Sequence, residues 1–362
     1  MPLARPTNDT MGGPMTATGI TATDKAPFTL GRATGTLAEG AAKLAGEIGA
    51  TAVEAVLARG NRAAVRKGAP GFIGTMTPKP VDWYAFDPKD EDTPDWYPQG
   101  LTGSDDSGSV GVPCFAVTWY YKPPVTVGER GVRVTFLNPR TLRYQHCLLV
   151  EALPDGSYGP IDIHAGGCGW VGDLLYVADT TRGLRVFDLN NLLDLRTAQN
   201  DLGDAARVGR HLGRFHAFGY RYVIPQTDSW KLVTKRAAVF SFVGVDRGNG
   251  TLASGEYKEG ETTGRVARWQ LAPSGQLASG VPLDAYTMGV EMVQGAVSHN
   301  DTWYLSQAMR HQKNGRLVVG KAGSPSKARP WVIGPEDLTV QDGRLWSVTE
   351  FRNRRAIFGV SL

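Results

Sequence analysis

Short β-strands closed into a ring are what this sequence predicts, on three observations. From Pro70 onward, runs rich in aromatic and β-branched residues alternate with turn residues, and helical periodicity all but disappears. Examples are CFAVTWYY (114–121), VRVTFLN (132–138), LLYVADT (174–180), VFSFVGVD (239–246), TWYLSQ (302–307) and AIFGVSL (356–362). The 362 residues include 45 Gly, 22 Pro and a full set of large rings (9 Trp, 12 Tyr, 12 Phe), a composition of many turns between sticky strands. Third, one hairpin recurs along the chain.

The recurrence is GGCGWVGDLLYVADT from Gly166, QGAVSHNDTWYLSQA from Gln294 and EDLTVQDGRLWSVTE from Glu336, aligned without gaps. Each copy carries an aromatic ten residues after its first position (Tyr176, Tyr304, Trp346) and a polar or Gly turn before it. A looser copy starts at Gln99. A repeated hairpin followed by further strands is the unit of a propeller blade, so the fold class expected is an all-β, five-bladed β-propeller. The blades fall near 97–153, 164–226, 238–288, 294–334 and 335–362. The last is one strand short, and VDWYAFD (81–87) is the strand expected to close it. Six blades result if 210–235 forms one of its own, and a two-sheet sandwich is the other architecture.

The N-terminal part is organised differently. Residues 1 to about 35 are Thr-, Gly- and Pro-rich without periodicity and read as a flexible tail. In 36–69, Leu37, Ala41, Leu44, Ile48, Ala52 and Val56 recur at spacings of three and four. They form the stripe of an amphipathic helix packed on the main domain, which occupies 70–362.

Charge and cysteine content act by exclusion. The formal net charge is only +4 and no basic run marks a phosphate track, so no nucleic-acid partner is expected. No stretch reaches the roughly 18 apolar residues of a membrane span. Cys114, Cys147 and Cys168 are odd in number and form no CxxC, which argues against a disulfide framework or a cysteine-rich zinc site. The first residues lack the apolar core of a secretory signal, and a cytoplasmic location is expected. There is no P-loop and no GxSxG elbow. GCGWVG (167–172) matches a dinucleotide fingerprint by letter but lacks the helix that must follow it. No cofactor and no metal are therefore expected.

The wording of DWYAFDPKD, GDLLYVADTTRGLRVFDLNNLLDL, FGYRYVIPQ, GRVARWQL and IGPEDL…LWSVTE resembles an uncharacterised family of mostly secreted actinobacterial proteins. The resemblance covers roughly residues 70–362 and implies a propeller fold. It assigns no activity and carries over no functional residue. The N-terminus departs from it, because the tail and helix stand where that family has an export signal.

The site is expected around the ring axis, where the innermost strands begin. The repeat places Gln99, Gln294 and Glu336 at equivalent positions there, with His164 two residues ahead of its copy and Phe242 in the 240–242 segment. His164 and Glu336 are the candidate catalytic acid and base; Gln99 and Gln294 are candidate ligands for a carbonyl or hydroxyl. Trp96, Trp170 and Phe242 are candidate apolar contacts for substrate. Alternation along a strand argues that Glu336 and Asp337 face opposite sides. The other histidines, His146 among them, read as strand or surface residues, and Asp162 and Glu256 are weaker carboxylate candidates. The resulting expectation is a cofactor-independent enzyme of small-molecule, specialised-metabolite biosynthesis, catalysing cyclisation, isomerisation or elimination. The alternatives are a saccharide- or protein-binding module and a glycoside hydrolase. The sequence leaves the oligomeric state open.

Overall fold

The computed structural model describes residues 16–17, 19–66, 73–122, 128–235 and 237–362. Part of the expected tail (1–15 and 18) and the end of the expected helix (67–69) lie outside them.

The chain is all-β in a propeller arrangement, with sheets placed around an axis. Four sheets have the form of a blade, each a set of consecutive antiparallel strands running outward. Sheet II begins with Cys168–Val171, sheet III with Phe242–Asp246, sheet IV with Val293–His299 and sheet V with Pro335–Gln341. Five equal blades are not formed. The remaining sector, sheet I, is an eight-stranded mixed sheet that starts at Trp96–Gly103. Tyr222–Pro225, expected in the second blade, instead runs parallel to Arg143–Ala152 and extends sheet I. Asp228–Leu232 takes its place in sheet II. Residues 210–235 are shared among a small hairpin, sheet I and sheet II, so they form no sixth blade.

The hairpin repeat has one register. Tyr176 pairs with Gly169, Tyr304 with Val297 and Trp346 with Thr339, each the fourth residue of its copy. Asn300–Asp301 and Asp342–Gly343 turn with positive φ at both residues, which matches the twist of the flanking strands. Between neighbouring sheets lie apolar layers. Sheets II and III enclose Tyr176, Trp269 and Phe240; sheets IV and V enclose Trp331, Phe358 and Leu338; sheets V and I enclose Trp119, Phe115 and Trp346.

At the axis the five innermost strands approach so closely that side chains do not fit between them. A Cβ on Gly100 would lie 2.6 Å from the Cys168 amide nitrogen, and one on Gly295 would lie 2.6 Å from Asp337 Cα. Gly167 against Phe242 and Val243, and Gly244 against Ala296, are tighter still. These four glycines link sheet I to II, II to III, III to IV and IV to V.

The described part of the N-terminus is a belt, not a tail. Thr16–Ala17 adds an outer strand to sheet IV, Thr21–Ala22 to sheet III and Leu30–Arg32 to sheet II. Ile20, Phe28 and Leu30 are buried on the way. The expected single helix is two: α1 (Leu37–Ile48) and α2 (Val53–Ala58), broken where Gly49 takes φ +99°. Leu44 and Ile48 of α1 pack on Leu148, Val150 and Leu195, and Val56 of α2 joins the layer between sheets I and II. Arg62–Ala63 then pairs with sheet I, and Asp82–Ala85 pairs with Ala356–Ser361 as the fourth strand of sheet V. Among the described residues, no helix is long and apolar enough to cross a membrane.

Gly295→Ala should lower stability by more than about 2 kcal/mol, because its new methyl meets backbone that cannot move without opening the ring. Gly46→Ala, in α1 with open space around it, should raise stability by roughly 0.5–1 kcal/mol. Thermal melts of the two variants against the parent check both signs.

Candidate functional site

The innermost strands of sheets I, IV and V share one irregularity. Register shifts fall between Pro98 and Leu101, between Val293 and Gly295, and between Pro335 and Leu338. Each is a β-bulge, an extra residue that breaks side-chain alternation and re-aims what it carries. Gln99, Gln294, Glu336 and Asp337 sit in these three bulges. The bulge in sheet V corrects the alternation argument, since Glu336 and Asp337 both serve the axis.

Asp337 turns into the ring of backbones. Its Oδ2 accepts the amides of Cys168 (3.1 Å) and Leu101 (3.3 Å), its Oδ1 is buried without a hydrogen-bond partner among the described residues, and the nearby amides of Leu338 and Val243 favour its charged form. One carboxyl of sheet V thus ties sheet I to sheet II. Complete burial raises its pKa well above the ordinary value despite these bonds.

Glu336 faces one end of the axis. Gln294 Nε2 donates to its Oε1 at 3.2 Å, while Oε2 is buried without a hydrogen-bond partner among the described residues. Burial, with the nearby charges of Glu350 and Asp337, pushes the Glu336 pKa well up. Glu350 follows the second strand of sheet V. Gln99 Nε2 donates to its Oε2 at 3.2 Å, and burial raises its pKa too. Two carboxyl groups in electrostatic contact with raised pKa values favour at least one protonated acid near neutral pH.

Rings and cations surround this pair. Tyr97 stacks on Tyr120 (5.4 Å between centroids), and Tyr120 packs on His164 (4.2 Å). Burial, then Glu350 and Glu336, raise the Tyr120 hydroxyl, so it stays a hydrogen-bond donor. Burial, then Glu259, Glu336 and Glu350, raise the Tyr257 hydroxyl as well. Arg355 lies over Tyr97 (4.9 Å) and donates to the Glu350 carbonyl (2.7 Å). Desolvation, then Lys122, holds His164 below its ordinary pKa, so its ring is mostly neutral at pH 7. Exposure grades from floor to rim: Glu336 and Gln99 are buried, Gln294, Tyr97, Tyr120, Tyr257 and Glu350 half-buried, and His164 exposed. The arrangement can donate a proton from its floor and present hydroxyl and amide donors on its wall.

The structure gathers Gln99, His164, Gln294 and Glu336 at this end and leaves the apolar candidates elsewhere. Trp170 has no exposed surface and packs on Phe136 in the layer beneath α2. Phe242 is fully buried between sheets III and IV. Trp96 points off the axis, sandwiched between Tyr121 and the Arg133 guanidinium (4.4 Å). Glu256 is tied to Arg265 in a bidentate pair. The three thiols are buried, and burial pushes each pKa up, so they are packing groups.

Sequence reasoning missed Glu350, Tyr120, Tyr257 and Arg355. Glu350 had a readable signal: it is the last residue of its hairpin copy, and a hairpin folds its last residue beside its first. Tyr120 belongs to the looser copy that starts at Gln99, and Tyr257 and Arg355 come from loops outside the repeat. Also missed was the surrounding of His146. Its Nε2 lies 3.0 Å from buried Asp90, whose carboxylate also takes Arg133 (3.0 Å), Arg62 (3.0 Å) and Tyr144 (2.6 Å). Burial opposes the Asp90 charge, yet His146, Arg133 and Arg62 hold its pKa below the usual carboxylate range. Burial, then Arg133, lowers His146 to about 4, so the neutral ring donates from Nε2 and accepts the Thr135 hydroxyl at Nδ1 (2.7 Å). Among the described residues, no cluster of three or more His, Cys, Asp or Glu is arranged to hold a metal ion.

At the opposite end of the axis, Asp106 of the short helix Ser104–Ser107 accepts the hydroxyls of Thr102 (2.9 Å) and Thr339 (2.5 Å). Burial outweighs these bonds and pushes its pKa up to about 7. An acid whose folded pKa exceeds its unfolded one (about 4) binds more protons when folded, so stability falls as pH rises between those values. The parent Tm should therefore drop between pH 5 and pH 8. Asp106→Asn should flatten that slope and be the more stable protein at pH 8, by on the order of 2–4 kcal/mol. Parallel melting curves for the two proteins across this range contradict the assignment.

No protein-family model matches this chain, and no curated protein does. Among solved structures it is similar to the hydrazine synthase of Kuenenia stuttgartiensis, at 12% identity and TM-score 0.34, over 71% of this chain and 75% of that one. It is also similar to the RS223 β-xylosidase (9%, TM-score 0.34, 74% and 92%) and to a GH43_1 enzyme from Xanthomonas citri (7%, TM-score 0.34, 73% and 87%). Likeness at this level says nothing of the chemistry at the axis.

Proposed function

We propose that the chain is an enzyme that carries out acid–base chemistry on a small organic molecule at the axial cluster, without a cofactor. The observation that supports it most is Glu336: a buried carboxyl with one oxygen unpartnered, raised in pKa, and coupled to a second raised carboxyl. A protonated acid held in this way is suited to deliver its proton to a carbonyl or hydroxyl oxygen. Gln99 and Gln294 hold the carboxyl pair in place, and the Tyr120 hydroxyl is a donor for the oxygen that gains charge. His164, neutral and at the rim, is the group that takes a proton from substrate and returns it to solvent. Cyclisation, isomerisation and elimination all fit this division of labour.

The second reading is a saccharide site, binding or cleaving a glycoside. Tyr97, Tyr120 and Tyr257 favour it, since half-buried rings with polar tips suit sugar faces. Cleavage further needs the two carboxyls on opposite sides of the scissile bond.

Incubating the protein with lactones, hydroxy ketones and glycosides, and following each by mass spectrometry, tests the site. On whichever class is consumed, Glu336→Gln and Glu350→Gln should each lower turnover by about 100-fold or more, with Tm held within a few degrees. His164→Ala should lower turnover about tenfold and shift the alkaline limb of the pH profile. Full turnover in both carboxamide variants overturns the site. Consumption of glycosides alone selects the second reading.

A further inference from the structure

A second cavity lies off the axis, where the N-terminal belt meets sheet I and the loop that precedes Tyr222. Its volume is about 360 Å³, in the range of small-ligand pockets. Four guanidinium groups line it, those of Arg59, Arg62, Arg130 and Arg221, and its lining holds no carboxylate. Two of the four are committed behind the wall: Arg62 to Asp90 and Arg221 to Asp194 in a bidentate pair (2.8 and 2.6 Å). Among the described residues, no ion pair engages Arg59 or Arg130. Arg130 lies over the Phe218 ring, 5.2 Å from its centroid, and beside the Tyr121 hydroxyl. A fifth guanidinium, Arg133, stands behind the Trp96 ring that forms part of the lining, and it donates to the Tyr220 hydroxyl at 3.2 Å.

Five guanidinium groups gather here, and Asp90 and Asp194 form ion pairs with three of them, Arg62, Arg133 and Arg221. A fold that needed these residues only for packing would pair them or space them apart. Guanidinium forks match the oxygens of carboxylate, phosphate and sulfate, and bind them more strongly where water is partly excluded. The cavity also presents flat rings from Trp96, Phe218 and Tyr220. Phe218 is held at φ +52°, a left-handed backbone that a bulky residue adopts at a cost of about 1–3 kcal/mol. That backbone places the half-buried ring between the layer of Tyr158, Phe215 and Ala217 and the Arg130 guanidinium.

We propose that this cavity binds a small organic oxyanion, a planar ring bearing a carboxylate, phosphate or sulfate, with Arg59 and Arg130 taking the anion and Phe218 and Trp96 the ring. The site lies apart from the axial carboxyls: Trp96 and Tyr97 are consecutive on one strand, and Trp96 serves the cavity while Tyr97 serves the axis. It is an anion site whatever the axial chemistry is.

Calorimetric titration at low salt with phenyl phosphate, benzoate and neutral benzyl alcohol tests it, on the full chain. The two anions should bind at least about tenfold more tightly than the alcohol, and affinity should fall as salt rises. Arg59→Gln/Arg130→Gln, two residues with exposed or half-exposed heads, should weaken both anions about tenfold or more at unchanged Tm. Phe218→Gly should weaken phenyl phosphate more than inorganic phosphate. Glu336→Gln should leave all of these affinities as they are, which separates this site from the axial one. Equal binding of benzyl alcohol and the anions overturns the proposal, and so does unchanged anion affinity in the double arginine variant.

Discussion

The structure depends on how closely the five innermost strands approach, and on the one carboxylate that makes the approach tolerable. Gly100, Gly167, Gly244 and Gly295 remove the side chains that would hold the backbones apart. Strands drawn this close leave amides at the axis that no sheet ladder satisfies, and buried amides need acceptors. Asp337 supplies one for two of them, accepting from Leu101 and Cys168. A buried carboxylate costs free energy, seen in its raised pKa, but it answers two amides from different sheets with one group. With the middle of the axis plugged in this way, space for chemistry is confined to the ends. One end carries Glu336 and Glu350, the other Asp106 with its two threonines.

The periphery is governed by the opposite constraint. Blades that radiate from an axis leave outer edge strands exposed, each a template for unwanted pairing. The belt answers this for one sheet after another. It adds a strand to sheets IV, III and II, lays α1 and α2 along sheet I, pairs with that sheet and ends as the outer strand of sheet V. It runs round the ring in the direction opposite to that in which the blades are laid down. The belt also brings Arg59 and Arg62 to the side of sheet I, so the basic cavity exists only because the circuit is complete.

Sheet I is where the molecule departs from a regular propeller, and both candidate sites touch it. Its innermost strand gives Tyr97 and Gln99 to the axis and Trp96 to the cavity. Arg355 links the two regions: it donates to the carbonyls of Glu350, Asp90 and Thr93, and lies over Tyr97. Burial and the neighbouring Arg133 lower it to about 10, so it keeps its charge at neutral pH. The added strands of sheet I also bury His146 and Asp90, which turns a strand histidine into the neutral member of a charged network.

The sequence by itself determined whatever is periodic or local. The hairpin copies at Gly166, Gln294 and Glu336 fold in a common register, because turn residues and alternating apolar positions act over a few residues and need no distant partner. The same equivalence led to Gln99, Gln294 and Glu336, which the bulges turn toward one end of the axis. Only the tertiary structure decided the rest. Val53–Ala58 and Leu30–Arg32 carry weak local signals, and their place is set by sheet surfaces contributed from far along the chain. Tyr222–Pro225 reads like any other strand, and its transfer to sheet I depends on which edge was left open. Trp170 and Trp96 look alike in sequence, yet one is sealed beneath α2 and the other faces a cavity. Burial and charge are sums over neighbours brought together by folding, and therefore the raised carboxyls and the unbalanced arginines could be seen only once the ring was closed.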